Sequence, residues 1–126
     1  DSVRVPRKNY RQLLNRPLFH WILTSLSKVD LITQIVVDTD SPEIKAGIKR
    51  HFPSIVVISR PPHLCNDPPM NEILMHDTSV VDADLYIQTH STNPFLSPSS
   101  IAASIEKFLE VTPAYDSLFS VTRIQE

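Results

Sequence analysis

A run of six polar side chains, QTHSTN from Gln88 to Asn93, offers groups that could bind a small ligand. It follows a short apolar segment, Leu85–Ile87, which predicts a strand covered on both faces. Ser97 and Pro98 then predict the cap and first position of a helix. Open α/β sheets bind ligands in the loops that leave the carboxyl ends of their strands. The run is therefore either a ligand-binding loop or an ordinary polar connection, and its sequence alone leaves both open.

The first sixteen residues carry a second candidate, a set of basic side chains with no acidic residue after Asp1. Pro6 discourages a helix, so we expect an extended basic loop. Lys and Arg in such a loop could bind phosphate oxygens through charge-assisted hydrogen bonds, or could be solvated surface groups. Arg60 is a further cation, placed where a predicted strand ends. The basic residues of the first segment are Arg4, Arg7, Lys8, Arg11 and Arg16.

Metal ligands are less clearly indicated. Asp38 and Asp40 lie at the end of a predicted strand and could be metal ligands, but carboxylates in that position commonly form turns, which is the interpretation we favour. The five histidines and Cys65 do not have the spacing of a structural zinc site. Gly47 is the single glycine, so neither common glycine-rich phosphate loop is present.

The hydrophobic pattern alternates between strands and helices. Helices with wide apolar faces are predicted to start at Pro17, Pro42 and Pro98, and another follows Met70. This order requires crossovers and a mostly parallel sheet, so we predict an α/β, Rossmann-like doubly wound fold with helices on both faces. The predicted strands are Gln34–Thr39, Ser54–Ser59, Leu85–Ile87 and Ser117–Thr122.

Composition bounds the class of protein. The 126 residues suit one domain, and both ends look cut from something longer. A net charge of -2 argues against a nucleic-acid partner. No apolar run is long enough to cross a membrane. A single cysteine fits a reducing compartment, so we expect a cytoplasmic protein.

Several ordered segments resemble the cytidylyltransferases that activate acidic sugars, namely the CMP-sialic acid synthetases and their relatives acting on Kdo. RVPRKN and LLNRPLFHWIL resemble the end of the family's nucleotide loop and its following helix. QIVVDTDSPEI, ISRPPHLCND, YIQTHSTNPFL and SLFSVT resemble later segments in the same order. The likeness identifies residues 1–126 as a partial nucleotide-binding domain of a nucleotidyltransferase, incomplete at both ends. The loop after Gln88 is two residues longer than usual, and Pro68–Pro69 replaces small and hydroxyl residues.

The resemblance implies that a sugar hydroxyl attacks the α-phosphate of CTP and releases pyrophosphate. It implies Mg²⁺, for which the sequence identifies no ligand, and a homodimer as the full-length protein. The departures keep a second hypothesis open, a catalytically inactive nucleotide-binding or regulatory module on the same fold. The implied site residues are Lys8 and Arg4 at the phosphates, Asn9, Arg60 and Gln88 at the cytidine and acceptor, and Thr92 and Asn93 at the sugar.

Overall fold

The fold is built on two parallel strands joined by a helix. The computed structural model describes residues 12–64, 69–91, 93–115 and 117–118. Within them the chain forms short strands, α-helices and one turn of 3-10 helix at Pro62–Leu64. The elements are β1 (Gln12–Leu13), β2 (Arg16–Pro17), α1 (Leu18–Ser27), β3 (Val36–Thr39), α2 (Pro42–His51), β4 (Val56–Ser59), α3 (Met70–Val80) and α4 (Pro98–Val111).

Strands β3 and β4 pair in parallel, with Val36 opposite Val56 and Thr39 opposite Ser59. Parallel neighbours cannot be joined by a tight turn, so α2 forms the crossover between them. The predicted start of α2 is confirmed: the Ile44 amide donates to the Ser41 hydroxyl at 3.3 Å, and Pro42 is the first helical residue. The local sequence thus places both strands side by side and in the same direction.

Both faces of this parallel pair are covered. Val37 and Val57 pack against the main core, which is formed by side chains of α1, α2 and α4. Successive strand residues alternate between faces, so Asp38 and Ile58 point to the opposite side, where α3 lies. The predicted α/β architecture with helices on both faces is confirmed. The main core contains Phe19, Ile22, Leu23, Leu26, Val29, Ile44, Ile48, Ile55, Ile101 and Ile105.

Helices α1 and α2 approach closely at Gly47. A Cβ atom at this position would lie 2.9 Å from Cζ of Phe19, inside van der Waals contact. The Phe19 ring is itself buried, so it cannot swing into solvent to make room. The single glycine of the chain therefore serves helix packing, not the binding of phosphate.

The basic segment is a hairpin from Gln12 onward, not the extended loop that we predicted. Strands β1 and β2 pair antiparallel, and Leu14 and Asn15 between them have positive φ angles of 50° and 71°. Two consecutive left-handed residues match the twist of a two-residue hairpin turn. The Trp21 indole then donates to the Leu13 carbonyl at 2.9 Å and fastens the hairpin to α1. Residues 1–11 lie outside the described part of the chain.

Arg16 has a structural role. Its guanidinium donates to the Thr24 hydroxyl at 2.8 Å and lies 5.2 Å from the centre of the Trp21 ring. His20 is buried beside it, and burial, followed by the charges of His51 and Arg16, lowers the His20 pKa. His20 and Trp21 are therefore packing residues.

The strand predicted at Leu85–Ile87 is wrong. These residues form no ladder, and Tyr86 and Ile87 are exposed. The Tyr86 hydroxyl instead donates to backbone carbonyls at the end of α3, 3.3 Å from that of Thr78. These bonds tie Tyr86 to the preceding helix end, and the segment pairs with no strand among the described residues.

The last two predicted elements differ in outcome. Helix α4 begins as expected, because Ser97 accepts from the Ser100 amide at 3.1 Å and Pro98 comes first. Ile101 and Ile105 are buried, whereas Leu109, which the helical spacing of the sequence predicts on the same face, is largely exposed. Of the strand predicted at Ser117–Thr122, Ser117 and Leu118 are described and neither is in a strand. The other residues of that strand lie outside the described part.

Among the described residues, the helices are too short or too polar to pass through a bilayer.

Ile48 tests the core. Its side chain is the most deeply buried, at 1% exposure, so Ile48→Ala should lower the free energy of unfolding by about 3 kcal/mol through lost burial and a residual cavity. Leu109→Ala removes a similar aliphatic group that is 55% exposed and should change it by less than about 0.5 kcal/mol. Urea unfolding of both variants measures the difference. Equal effects would contradict this assignment of the core.

Candidate functional site

An ion pair joins the carboxyl ends of β3 and β4. Arg60, directly after β4, donates from Nε to Oδ1 of Asp38 at 2.9 Å, and its Nη2 lies 3.4 Å from the Asp38 carbonyl. The Asp38 side chain is only 6% exposed, whereas that of Arg60 is 21% exposed. A carboxylate buried this deeply requires a charged partner. Asp38 therefore fixes one side of the guanidinium at the sheet edge, and the Arg60 side chain remains partly exposed there.

Helix α3 brings two more ionisable groups to Asp38. The side chains of His76 and Asp77 project from its third turn, with His76 Nδ1 3.5 Å from Asp77 Oδ1. One ligand atom of each of these residues and one of Asp38 lie within 4.8 Å of each other. Burial, then the adjacent Asp38 carboxylate, raises the pKa of Asp77 from 3.8 to about 6, although His76 opposes the shift. We call Asp38, His76 and Asp77 the acid–imidazole cluster.

Described residues of the polar run 88–93, which we call the polar loop, lie at the same edge of the sheet. Ser91 lines a cleft of about 100 Å³ together with Asp38 and Thr39, over the apolar ends of α1 and α2. Gln88 is exposed, and its amide nitrogen lies 3.3 Å from Sδ of Met70, the first residue of α3. Asn93 is exposed and closes a turn onto the His90 carbonyl at 3.1 Å. The loop thus lies beside the ends of β3 and β4, and its role in ligand binding stays a prediction.

The predicted site residues divide into two groups. Arg60, Gln88 and Asn93 lie in the described part, where Arg60 joins the cluster and the other two belong to the polar loop. Their proposed contacts with nucleotide and sugar remain predictions. Outside the described residues lie Arg4, Lys8, Asn9 and Thr92.

The sequence interpretation of Asp38 was wrong, because this residue forms no turn and instead pairs with Arg60 across the sheet. His76 was dismissed as one of several scattered histidines. One signal was available: Asp77 is the single charged residue among the helically spaced positions that predicted the apolar face of α3, whereas Glu72 falls on the opposite face. A lone charge on a helix that packs against a sheet indicates a partner on that sheet.

The Mg²⁺ that the resemblance implies does not fit this cluster well. Mg²⁺ prefers an all-oxygen octahedral shell completed by water or substrate phosphate. The cluster presents an imidazole nitrogen beside two carboxylates, and Arg60 already neutralises one of them. We therefore assign no described residue to Mg²⁺.

Asp77 should make stability depend on pH. Its pKa is raised by folding, so the protonated form stabilises the fold below about pH 4, and this contribution is lost as the pH rises through about 6. Asp77→Asn removes the titration. As the pH rises from 4 to 7, the free energy of unfolding of Asp77→Asn should increase by about 1 kcal/mol relative to that of the wild type. This figure allows for solvent screening, because the Asp77 side chain is 25% exposed.

Thermal melts of both proteins across that range, with EDTA present, measure the effect. Asp82→Asn, at an exposed carboxylate outside the cluster, is the control. A difference between wild type and Asp77→Asn that stays constant with pH would contradict the raised pKa.

This chain resembles both a solved structure and several sequence relatives. The fold aligns with a solved CMP:2-keto-3-deoxy-manno-octonic acid synthetase complexed with CTP, with a TM-score of 0.76 and 21% identity. That alignment covers 90% of this chain and 45% of the synthetase. At this identity the likeness establishes the fold.

Among sequence relatives, the 3-deoxy-manno-octulosonate cytidylyltransferase of Chlorobium luteolum is 27% identical over 98% of this chain and 47% of its own length. The enzyme of the same name from Chlorobium limicola is 30% identical over 90% of this chain and 44% of its own length. The chain thus spans less than half the length of these relatives. The model of the cytidylyltransferase family matches residues 1–126, that is, every residue. This chain belongs to the cytidylyltransferase family.

Proposed function

We propose that the protein containing this chain transfers CMP from CTP to an acidic sugar, Kdo or a sialic acid, and releases pyrophosphate. The observation that carries the proposal is the match of the cytidylyltransferase family model to the whole chain. The names of the sequence relatives favour 3-deoxy-manno-octulosonate as the acceptor. We further propose that the full-length protein is a cytoplasmic homodimer, as its resemblance to these enzymes implies.

The reaction needs positioning more than a protein nucleophile. A sugar hydroxyl oxygen forms a bond to the α-phosphorus while the bond to the bridging oxygen of the β-phosphate breaks, and the hydroxyl proton is lost to solvent or a base. Such transfers depend on in-line alignment and on neutralising phosphate charge. Mg²⁺, when bound with the triphosphate, would supply part of that neutralisation. Lys8 and Arg4 are proposed to supply the rest.

The described residues support a nucleotide at the edge where β3 and β4 end. Ligands of open α/β sheets lie outside the carboxyl ends of the strands. Arg60 lies there with its guanidinium bonded to Asp38, and its side chain as a whole is 21% exposed. A guanidinium fixed in this way loses little entropy when it binds a ligand oxygen. We therefore assign Arg60, with Gln88 and Asn9, to the cytidine and acceptor.

The sugar is assigned to the polar loop. Ser91 opens on the cleft beside Asp38, and Asn93 lies exposed two residues further along. Hydroxyl and amide groups are suited to hydrogen bonds with sugar hydroxyls and a carboxylate. Thr92 and Asn93 are therefore proposed to contact the acidic sugar.

The proposal is tested with the full-length protein. Pyrophosphate release should require CTP, Mg²⁺ and one member of a panel containing Kdo and N-acetylneuraminate, and should fall sharply when ATP, GTP or UTP replaces CTP. Folded protein that binds CTP but turns over no member of the panel would instead identify the inactive nucleotide-binding module. Folded protein that binds no nucleotide would contradict the transferase and would instead favour the regulatory module.

Lys8 provides the sharpest test of the proposed phosphate-binding role of the basic segment. If Lys8 neutralises charge that develops on the phosphates, Lys8→Ala should lower kcat about a hundredfold or more. The melting temperature should hardly change, because a surface substitution alters the free energy of unfolding by less than about 0.5 kcal/mol. Lys8→Arg should restore activity only in part, since the two cations differ in shape and hydration.

Arg7→Ala is the matched control, one position away in the same basic segment. It should cost much less activity than Lys8→Ala. Steady-state kinetics with CTP and the acceptor measure both. Small and equal losses would make the segment an ordinary charged surface and remove Lys8 from the site.

A further inference from the structure

The acid–imidazole cluster contains an uncompensated buried oxygen. Arg60 occupies Oδ1 of Asp38, but Oδ2 is buried and has no hydrogen-bond partner among the described residues. The Asp38 side chain is 94% buried, and a carboxylate oxygen removed from water without a partner is costly. Such an atom is available to bind a ligand at this position.

Two further atoms in the cluster share this property. Nδ1 of His76 and Oδ1 of Asp77 are buried, and at 3.5 Å they are too far apart for a good hydrogen bond. One ligand atom from each of the three residues lies within 4.8 Å of the other two. Hence three electron-pair donors lie in one small volume, and a proton on Asp77 is the donor that the described residues offer to the Asp38 carboxylate there.

The donor set defines the chemistry of the ligand. Two carboxylate oxygens and one imidazole nitrogen are the ligand types of Zn²⁺ and related first-row ions, which hold them at about 2.0–2.2 Å. Ligands at such distances are roughly 3–4 Å apart, so closure from the present spacing needs only small side-chain movements. The charges also agree: two carboxylates and the Arg60 guanidinium leave one negative charge to attract a cation.

The surrounding structure suits a metal site in a second way. Carboxylate ligands are typically oriented by an outer hydrogen bond to the oxygen that does not bind the metal. Arg60 Nε makes such a bond to Asp38 Oδ1 at 2.9 Å, which leaves Oδ2 facing the cluster. His76 and Asp77 are adjacent on a regular helix, so their backbone positions are fixed relative to each other.

We propose that Asp38, His76 and Asp77 bind a divalent transition-metal ion, of which Zn²⁺ is the representative, between β3 and α3. The ion ties α3 to the end of the parallel sheet on the face opposite the main core. It is separate from the Mg²⁺ that would accompany the triphosphate, and the inference does not depend on the proposed activity. Three protein ligands leave further coordination positions for water.

The test uses the full-length protein, stripped of metal by a chelator and then dialysed. Isothermal titration with ZnCl₂, in buffer containing millimolar MgCl₂ to occupy oxygen-only sites, gives the stoichiometry and affinity. His76→Ala and Asp77→Asn should each bind one equivalent fewer than the wild type, or bind the corresponding equivalent at least tenfold more weakly. Neither residue has been placed in the nucleotide site. Zn²⁺ should raise the melting temperature of the wild type and not of the variants.

His63→Ala and His90→Ala are the controls, because both side chains are exposed and lie outside the cluster. They should retain the wild-type stoichiometry. His76→Gln replaces His76→Ala if the latter fails to melt cooperatively. The proposal is overturned if wild type, His76 variants and Asp77→Asn bind the same number of Zn²⁺ ions with the same affinity. It is also overturned if the exposed-histidine controls lose the same equivalent.

Discussion

The pairing of Asp38 with Arg60 is the constraint on which the sheet edge depends. Asp38 in β3 and Arg60 directly after β4 carry opposite charges, and the Asp38 charge would be costly alone because its side chain is 6% exposed. Breaking a buried pair by removing one member is far more costly than the pair's net contribution, because the remaining ion keeps its desolvation penalty. The pair therefore contributes to the relative position of β3 and β4 and fixes the direction of the guanidinium, more than it contributes to overall stability.

Common features of the fold bring Asp38 and Arg60 together. The Ser41 cap and Pro42 start the crossover helix two residues after β3 ends, and Ile44 and Ile48 anchor that helix on the core. Gly47 lets α1 approach within contact of the same helix. The parallel register then places the end of β4, and hence Arg60, beside Asp38. The site is thus a consequence of a short β-α-β unit packed against α1.

The parts that could be predicted are those whose signals are local. Both capped helix starts, at Ser41 and Ser97, follow from a side-chain oxygen and a proline in consecutive positions. The strand predicted at Leu85–Ile87 is wrong because an apolar triplet does not specify a strand without a neighbouring strand. The Tyr86 hydroxyl instead bonds to the end of α3. The interpretation of Asp38 as a turn residue is wrong for a related reason. Its partners are 22 and 39 residues away in sequence, and only the tertiary fold shows that its side chain is buried.

The charge on the acid–imidazole cluster bears on how the neighbouring edge could receive an anion. With both carboxylates ionised, Asp38, Asp77 and Arg60 sum to one negative charge, which would repel a phosphate or a sugar acid from the exposed side of Arg60. Protonation of Asp77 brings the sum to zero, and a bound divalent ion in place of the proton brings it to one positive charge. The field that an approaching nucleotide meets is therefore set by what neutralises Asp77, a residue on the opposite face of the sheet from the main core. Arg60 links Asp77 to the sheet edge, because its guanidinium bonds to Asp38, and the Asp38 carboxylate also acts on Asp77.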